Sequence, residues 1–419
     1  MKRTASVVSL AAVLAYFIAV AERSSLGVAA VEASSRFHTN AAQLSALTVL
    51  QLAVYAGMQI PVGVLLDRYG SKRLLLVGGL LMTVGQSLVA VSHDLAPAVL
   101  GRGILGMGDA FTFISMIRLI NHWYSGAAAT RRMQLYANFG QLGQVFSALP
   151  FAFTLKQLGW SNAYLMLAAF ALLGVCLTFA LVQDSPEAVH DKPLRTPWPV
   201  VFAQLRSNVR HSGVRQAFWT HFITQSSGAI FVLLWGYGFL VQGEGVAPAM
   251  ASTLLSSFVA IGFVVGPVMS QICAVRPNLR APIALGSAGS ILAVWAAVLL
   301  WQGRAPLWLL VLLLLVIGIG APVSMISFDF TRTYVDKQQL GTANGFVNLG
   351  GFIAAFSMMF AVGAVLDFAL RSGISKTLFD LAGYKLGMLV QFVVIGGGMV
   401  MFAIETRRTK ANSAQSLRS

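Results

Sequence analysis

The chain has 419 residues, 57% of them hydrophobic and only 10% charged, with a mean hydropathy of +0.75. A soluble protein carries roughly 25% charged residues, so this composition excludes a soluble globular domain and predicts a chain that crosses the bilayer many times. The formal net charge of +15 would suggest nucleic acid in a soluble chain, but here the charges fall between apolar runs, and nucleic acid is not expected as a partner.

In chain order, twelve apolar spans are expected, at roughly 5–31, 41–66, 74–92, 96–119, 133–155, 160–182, 216–241, 248–273, 281–302, 306–328, 340–370 and 378–404, each long enough for a bilayer core that needs about 20 apolar residues. The first follows Met1, Lys2 and Arg3 and resembles a signal peptide. It is too long and lacks a convincing cleavage site, and is read as a transmembrane helix. Between spans six and seven lies the one long polar stretch, with Pro186, Pro193, Pro197 and Pro199. The chain is thus expected to be an all-α membrane protein: an N-terminal six-helix bundle (1–182), a cytoplasmic central loop (183–215) and a C-terminal six-helix bundle with a short tail (216–419).

Orientation follows from the loops. With the N-terminus inside, 21 of the 29 Lys and Arg residues fall on the inner side, 6 on the outer side, and Arg23 and Arg102 within spans. That bias predicts cytoplasmic termini and a multi-pass protein of the cell (inner) membrane. Cys176 and Cys273 both lie in apolar spans, where packing is expected and a disulfide is not.

Glu22 and Arg23 interrupt the first span. Charges within hydrocarbon cost at least a few kcal/mol each and are retained where they face a protein interior or a watery cavity. Helix neighbours point about 100° apart, so each is expected to have its own partner elsewhere. Internal similarity is faint: Gly106–Met116 reads GMGDAFTFISM and Gly318–Phe328 reads GIGAPVSMISF, while ANFGQLGQ from Ala137 pairs with ANGFVNLGG from Ala343. In this register Asp109 faces Ala321.

The stretch YAGMQIPVGVLLDRYGSKR, Tyr55–Arg73, resembles the major facilitator superfamily, whose loop signature is G-x-x-x-D-R-x-G-x-[RK]-[RK]. Gly63, Asp67, Arg68, Gly70, Lys72 and Arg73 occupy every fixed place. A second signature, R-x-x-x-G-x-G, is met by Arg102, Gly106 and Gly108. A narrower resemblance is to the anion:cation symporter branch, proton-coupled carriers of sugar acids and other organic anions. Its D-R-x-x-x-x-x-A and G-x-G-E-A patterns are met at Glu22–Ala29 and Gly106–Ala110, with Asp and Glu exchanged at both acidic places. The tyrosine often found just before the first acid is absent, Val20 and Ala21 standing there. The second-half copy of the loop signature, from Gly266 to Arg280, lacks its acidic residue.

Arg23 is the candidate anion ligand, since a guanidinium fork pairs bidentately with a carboxylate. The bland alternative is a permanent ion pair with Asp109 or Glu22 that only joins helices. Asp109 and Glu22 are candidate proton sites, with Arg102 on the same helix face as Asp109, seven residues away; a static charge cluster is the alternative. The loop-signature residues are expected to gate: Gly63 and Gly70 by close helix contact, Asp67 by meeting a helix N-terminus or a basic partner. Tyr55, Gln141, Gln225 and Asn348 are the preferred further solute contacts, although interhelical hydrogen bonding accounts for most polar residues in such spans. His221 reads as a satisfied interior histidine, and Asp329 with Arg332 as a local ion pair.

No nucleotide-binding or metal-ligand spacing is visible, so neither cofactor nor metal is expected and an enzyme is a poor fit. The reading is a secondary active carrier that takes up a small organic anion with protons, by alternating access, as a monomer in the lipid bilayer. The runner-up is a proton-coupled efflux antiporter. Its helix-five signature is rich in Gly-Pro, whereas Pro150 is the only proline in that span here.

Overall fold

The computed structural model describes residues 2–124, 126–185, 197–336 and 339–416; within them the side chains at 2–4, 64, 67, 126–131, 134, 198, 341 and 413–416 lie outside the description. The described residues form helices and no strand. That is the physical expectation in hydrocarbon, where each backbone donor and acceptor must be satisfied within its own segment.

The chain divides into two compact units. Unit 1 (1–39 and 43–196) holds α1 (Lys2–Phe37), α2 (Ala41–Tyr69), α3 (Ser71–Val91), α4 (Leu95–Trp123), α5 (Gly126–Phe146), a π-helical turn (Ser147–Phe151) around Pro150, and α6 (Ala152–Leu181). Unit 2 (40–42 and 197–419) holds α7 (Trp198–Arg210), α8 (Ser212–Ile230), the single turn α9 (Gly236–Gly238) between two π-helical turns, α10 (Pro248–Val275), α11 (Arg280–Leu300), α12 (Leu307–Ser324), α13 (Ile326–Tyr334), α14 (Leu340–Arg371), α15 (Leu381–Met388) and α16 (Val390–Ser416).

Among the described residues, eleven helical stretches are long and apolar enough to cross a membrane. One of them, Leu135–Leu181, has 47 residues and would run about 70 Å if straight, more than twice a bilayer core. It breaks into two helices at Gly159, whose φ of 74° interrupts α6 and suits a residue without Cβ. The eleven stretches therefore make twelve crossings.

Two expectations need correction. The 183–215 stretch is not all loop: α7 occupies Trp198–Arg210, and α8 begins one residue later, after His211. Its apolar residues recur at 201–202, 205 and 209 among polar and basic ones, a helical pattern that the prolines before it obscure. Residues 186–196 lie outside the description. The C-terminal segment after Glu405 likewise continues as helix to Ser416.

Unit 2 has an aromatic core in which Trp235 and Trp295 are fully buried beside Phe231, Phe239 and Tyr384. Both indoles are satisfied, Trp235 by Met359 O at 3.0 Å and Trp295 by Ser227 Oγ at 3.2 Å. The core of unit 1 is different in kind: charged side chains lie inside its helices.

Candidate functional site

α1, α2 and α4 bring Arg23, Tyr55, Glu22, Arg102 and Asp109 together within unit 1. Arg23 forms a bidentate pair with Asp109, Nε to Oδ2 and Nη2 to Oδ1, both at 2.6 Å. Parallel charge-assisted bonds of this kind are among the strongest that side chains make. The Arg23 side chain is 15% exposed and that of Asp109 is fully buried, so the pair is reached from the arginine side. The guanidinium carbon lies 4.5 Å from the centre of the Tyr55 ring, a cation–π contact that steadies its plane. Arg23 is therefore joined to a carboxylate eighty-six positions along the chain and not to its neighbour Glu22.

Arg102 is also fully buried. Its guanidinium donates to main-chain carbonyls of α1, at Glu22 O and Arg23 O (both 3.2 Å), and to Ser25 Oγ (3.4 Å). It fastens α4 to the turn of α1 that carries the charges and does not bond to the Asp109 carboxylate. Glu22 departs from expectation: its carboxylate is fully buried and neither oxygen has a hydrogen-bond partner among the described residues.

Gln141 on α5 donates to the Tyr16 hydroxyl at 2.7 Å and accepts from Gln144. Tyr16 is a site residue that the sequence reading missed. It is buried and precedes Arg23 by seven positions, two helical turns, on the same face of α1. That spacing is the signal the sequence carries for it.

In unit 2, Gln225 and Asn348 belong to a polar cluster without formal charge. Ser324 Oγ lies 3.1 Å from Gln225 Oε1. His221 is buried, its Nδ1 3.3 Å from both Ser324 O and Ser327 Oγ, and Asn348 bonds to the same ring. The Ser327 hydroxyl donates to Ser324 O at 2.6 Å, so it and the carbonyl both present acceptors and Nδ1 carries the proton. His221 is thus a satisfied interior histidine, as read. Asp329 and Arg332 form the local pair, at 3.2 Å.

The loop-signature residues are spread over the end of unit 1. The Asp67 side chain lies outside the description. At the start of α3 the Lys72 amide donates at 2.9 Å to the carboxylate of Asp184, which follows α6. Gly70 has φ +80°, a conformation that requires glycine, and a Cβ there would lie 2.8 Å from Asp184 Oδ2, which would have to shift. Gly63 does not make the close contact expected of it, since a Cβ would meet nothing within 4 Å. Arg68 stacks on Tyr69 at 5.4 Å, Lys72 lies over Phe179 at 5.5 Å, and Arg73 is exposed. Arg118 on α4 donates to Leu66 O, placing a cation at the C-terminal end of α2.

Comparisons with known proteins agree with this architecture. The profile of the Major Facilitator Superfamily matches residues 12–359. Among solved structures, a bacterial homolog to the human lysosomal transporter Spinster, in an inward-facing and unoccupied conformation, superposes with a TM-score of 0.78, covering 97% of this chain and 98% of that one at 14% identity. Among sequence relatives, a probable sulfoacetate transporter of Cupriavidus necator is 27% identical over 174 residues, 42% of this chain and 40% of the relative. A probable L-galactonate transporter of Escherichia coli is 26% identical over 165 residues, 39% and 36%. Human monocarboxylate transporter 11 is 31% identical over 180 residues, 41% and 37%. The chain thus matches about two fifths of the length of each of these relatives. On the match that runs from residue 12 to residue 359, the chain belongs to the Major Facilitator Superfamily.

Proposed function

We propose that the chain is a secondary active carrier that moves a small organic anion into the cell together with protons, by alternating access. The observation that carries this reading is the bidentate Arg23–Asp109 pair inside the membrane, reached from the arginine side. Ionised Asp109 occupies the guanidinium fork. Protonation removes its charge, and the fork then has no anionic partner but the carboxylate of a solute. Proton and anion are linked because each needs the other in order to displace a bond, and Tyr55 holds the guanidinium in plane during the exchange. The relatives named for sulfoacetate, L-galactonate and monocarboxylates support an organic acid as the solute class.

In this reading Glu22 is a second proton site, Arg102 holds α1 against α4, and Gln141, Gln225 and Asn348 meet the neutral part of the solute. Gly63, Asp67, Arg68, Gly70, Lys72 and Arg73 take part in gating, with Asp184 as their anchor on α3. The termini are cytoplasmic, the protein sits in the cell membrane, and one chain suffices. One proton per monoanion is electroneutral, and each further proton gains about 2.3 kcal/mol per 100 mV.

Proteoliposomes test the proposal: uptake of a radiolabelled monocarboxylate or sugar acid is expected to rise when the outside is acidified. Uptake indifferent to the pH gradient would overturn it. One observation favours a second reading, efflux of cationic compounds: the unpartnered Glu22 carboxylate offers a cation a counter-charge. A resistance assay in an exporter-deficient host separates the two, and protection against cationic toxins would favour export.

A further inference from the structure

α7 has two distinct sides. The inner one carries buried Val201 and Asn208 with half-buried Gln204 and Leu205 between them, the i, i+3, i+4, i+7 pattern of a packed helix face. Asn208 fastens it by donating to Thr342 Oγ1 on α14 at 2.9 Å. The outer side presents Phe202, 62% exposed, and Val209, 38% exposed, together with exposed Arg206 and Arg210. These four fall within about 100° of the helix circumference, and α7 contains no acidic residue.

The corner beyond α7 is as basic. Arg215 on α8 donates to Val209 O at 3.3 Å and to Arg210 O, and reaches Glu405 Oε2 on α16 at 2.9 Å. Arg408 takes the other oxygen of Glu405, also at 2.9 Å. Arg407 and Lys410 stand exposed on the same end of α16, which Asn412 ties to Ser212 at 3.3 Å. Among the described residues, the corner therefore carries six cations and the Glu405 carboxylate, whose two oxygens are engaged by Arg215 and Arg408.

We propose that this corner docks on anionic phospholipid headgroups of the adjacent leaflet, with Phe202 and Val209 in the boundary between headgroups and acyl chains and Arg206 and Arg210 on the phosphates. A large exposed ring and guanidiniums sharing one arc fit the bilayer interface, where arginine stems lie along apolar groups while their heads reach phosphate. Charge complementarity sets the headgroup class, since each cation near an anionic surface gains about 1 kcal/mol, about fivefold in local lipid.

The test uses the whole protein in nanodiscs, with the emission of Phe202→Trp read as a difference from the parent. Brominated phosphatidylglycerol is expected to quench that signal at least about threefold more than brominated phosphatidylcholine at equal mole fraction. The preference is expected to vanish in Arg206→Gln/Arg210→Gln and to survive in Arg206→Lys/Arg210→Lys, which keeps the charge. Equal quenching by the two lipids, no quenching by either, or a preference unchanged in the glutamine pair would each overturn the proposal.

Discussion

The two units treat buried polarity in opposite ways. Gly106–Met116 on α4 and Gly318–Phe328, where α12 passes into α13, retain a common pattern, and both glycine pairs keep the close helix approach that it implies. A Cβ at Gly106 would come within 2.3 Å of Gln51 O on α2, and one at Gly318 within 2.6 Å of Ile261 on α10. Yet where unit 1 has Arg102 and Asp109, the same register in unit 2 has Leu314 and Ala321. Unit 1 invests in a charged pair, and unit 2 satisfies its polar core with hydroxyls, amides and a histidine whose proton is fixed on Nδ1. The contrast teaches that the packing of the repeat is separable from its chemistry. Glycines let the helices approach in both copies, and at this register the acidic residue stands in unit 1 only, where Arg23 matches it.

Breaking the charged half should have the largest effect. Arg23→Ala removes two charge-assisted bonds and leaves Asp109 buried without a partner. Anion affinity is expected to fall at least about 100-fold, measured by thermal shift or calorimetry on purified protein; affinity within a few-fold of wild type would remove Arg23 from the site. Placing charge in the neutral half comes next. Ala321→Asp sets a carboxylate in unit 2 at the register of Asp109 but without a guanidinium, and should cost about 3 kcal/mol, seen as a lower thermal midpoint. An unchanged midpoint would mean that unit 2 supplies a counter-charge.

The shared packing gives a smaller pair of effects. Gly106→Ala drives a methyl into the Gln51 carbonyl and should cost about 1–3 kcal/mol. Gly63→Ala, which meets open space, should be neutral or stabilising by up to about 1 kcal/mol. Equal losses in the two variants would contradict the contact geometry. The smallest effect concerns Glu244, just beyond the end of its span. Burial pushes its carboxyl up from the ordinary range, against the opposing pull of the Ala305 amide, which it accepts at 2.7 Å, and of Lys385 and Arg304. A carboxyl raised in the folded state adds stability at pH below its unfolded value, about 4.3, and loses that contribution as pH climbs through the folded value. The wild-type midpoint should accordingly drop more steeply than that of Glu244→Gln as pH rises from about 4.5 toward neutral; parallel curves would exclude this carboxyl as the source.

Hydropathy made the crossings legible, because each span must satisfy its own backbone and so carries its own signal. The break at Gly159 was legible too, since no helix of that length fits one bilayer. Contacts between helices were not written in any local pattern. Arg23 could have met Glu22 or Asp109, and only the packing of α1 on α4 decides for Asp109. Arg102 shares a helix face with Asp109, yet its long side chain spans to the carbonyls of α1. Asp184 meets the start of α3, although it lies more than a hundred residues beyond the loop signature. α7 stayed hidden because prolines and arginines read as loop, while its packed face, four residues in a short helix, needs α14 beside it to be recognised.

The most direct test of the central claim measures organic-anion affinity against pH for wild type and Asp109→Asn in nanodiscs. If protonation of Asp109 frees Arg23, wild-type affinity rises on acidification, approaching tenfold per pH unit above the controlling pKa. The Asn variant should then bind tightly at every pH, lose proton-driven accumulation and keep counterflow exchange. An Asn variant with the wild-type pH slope, or one that accumulates solute as the parent does, would contradict the account.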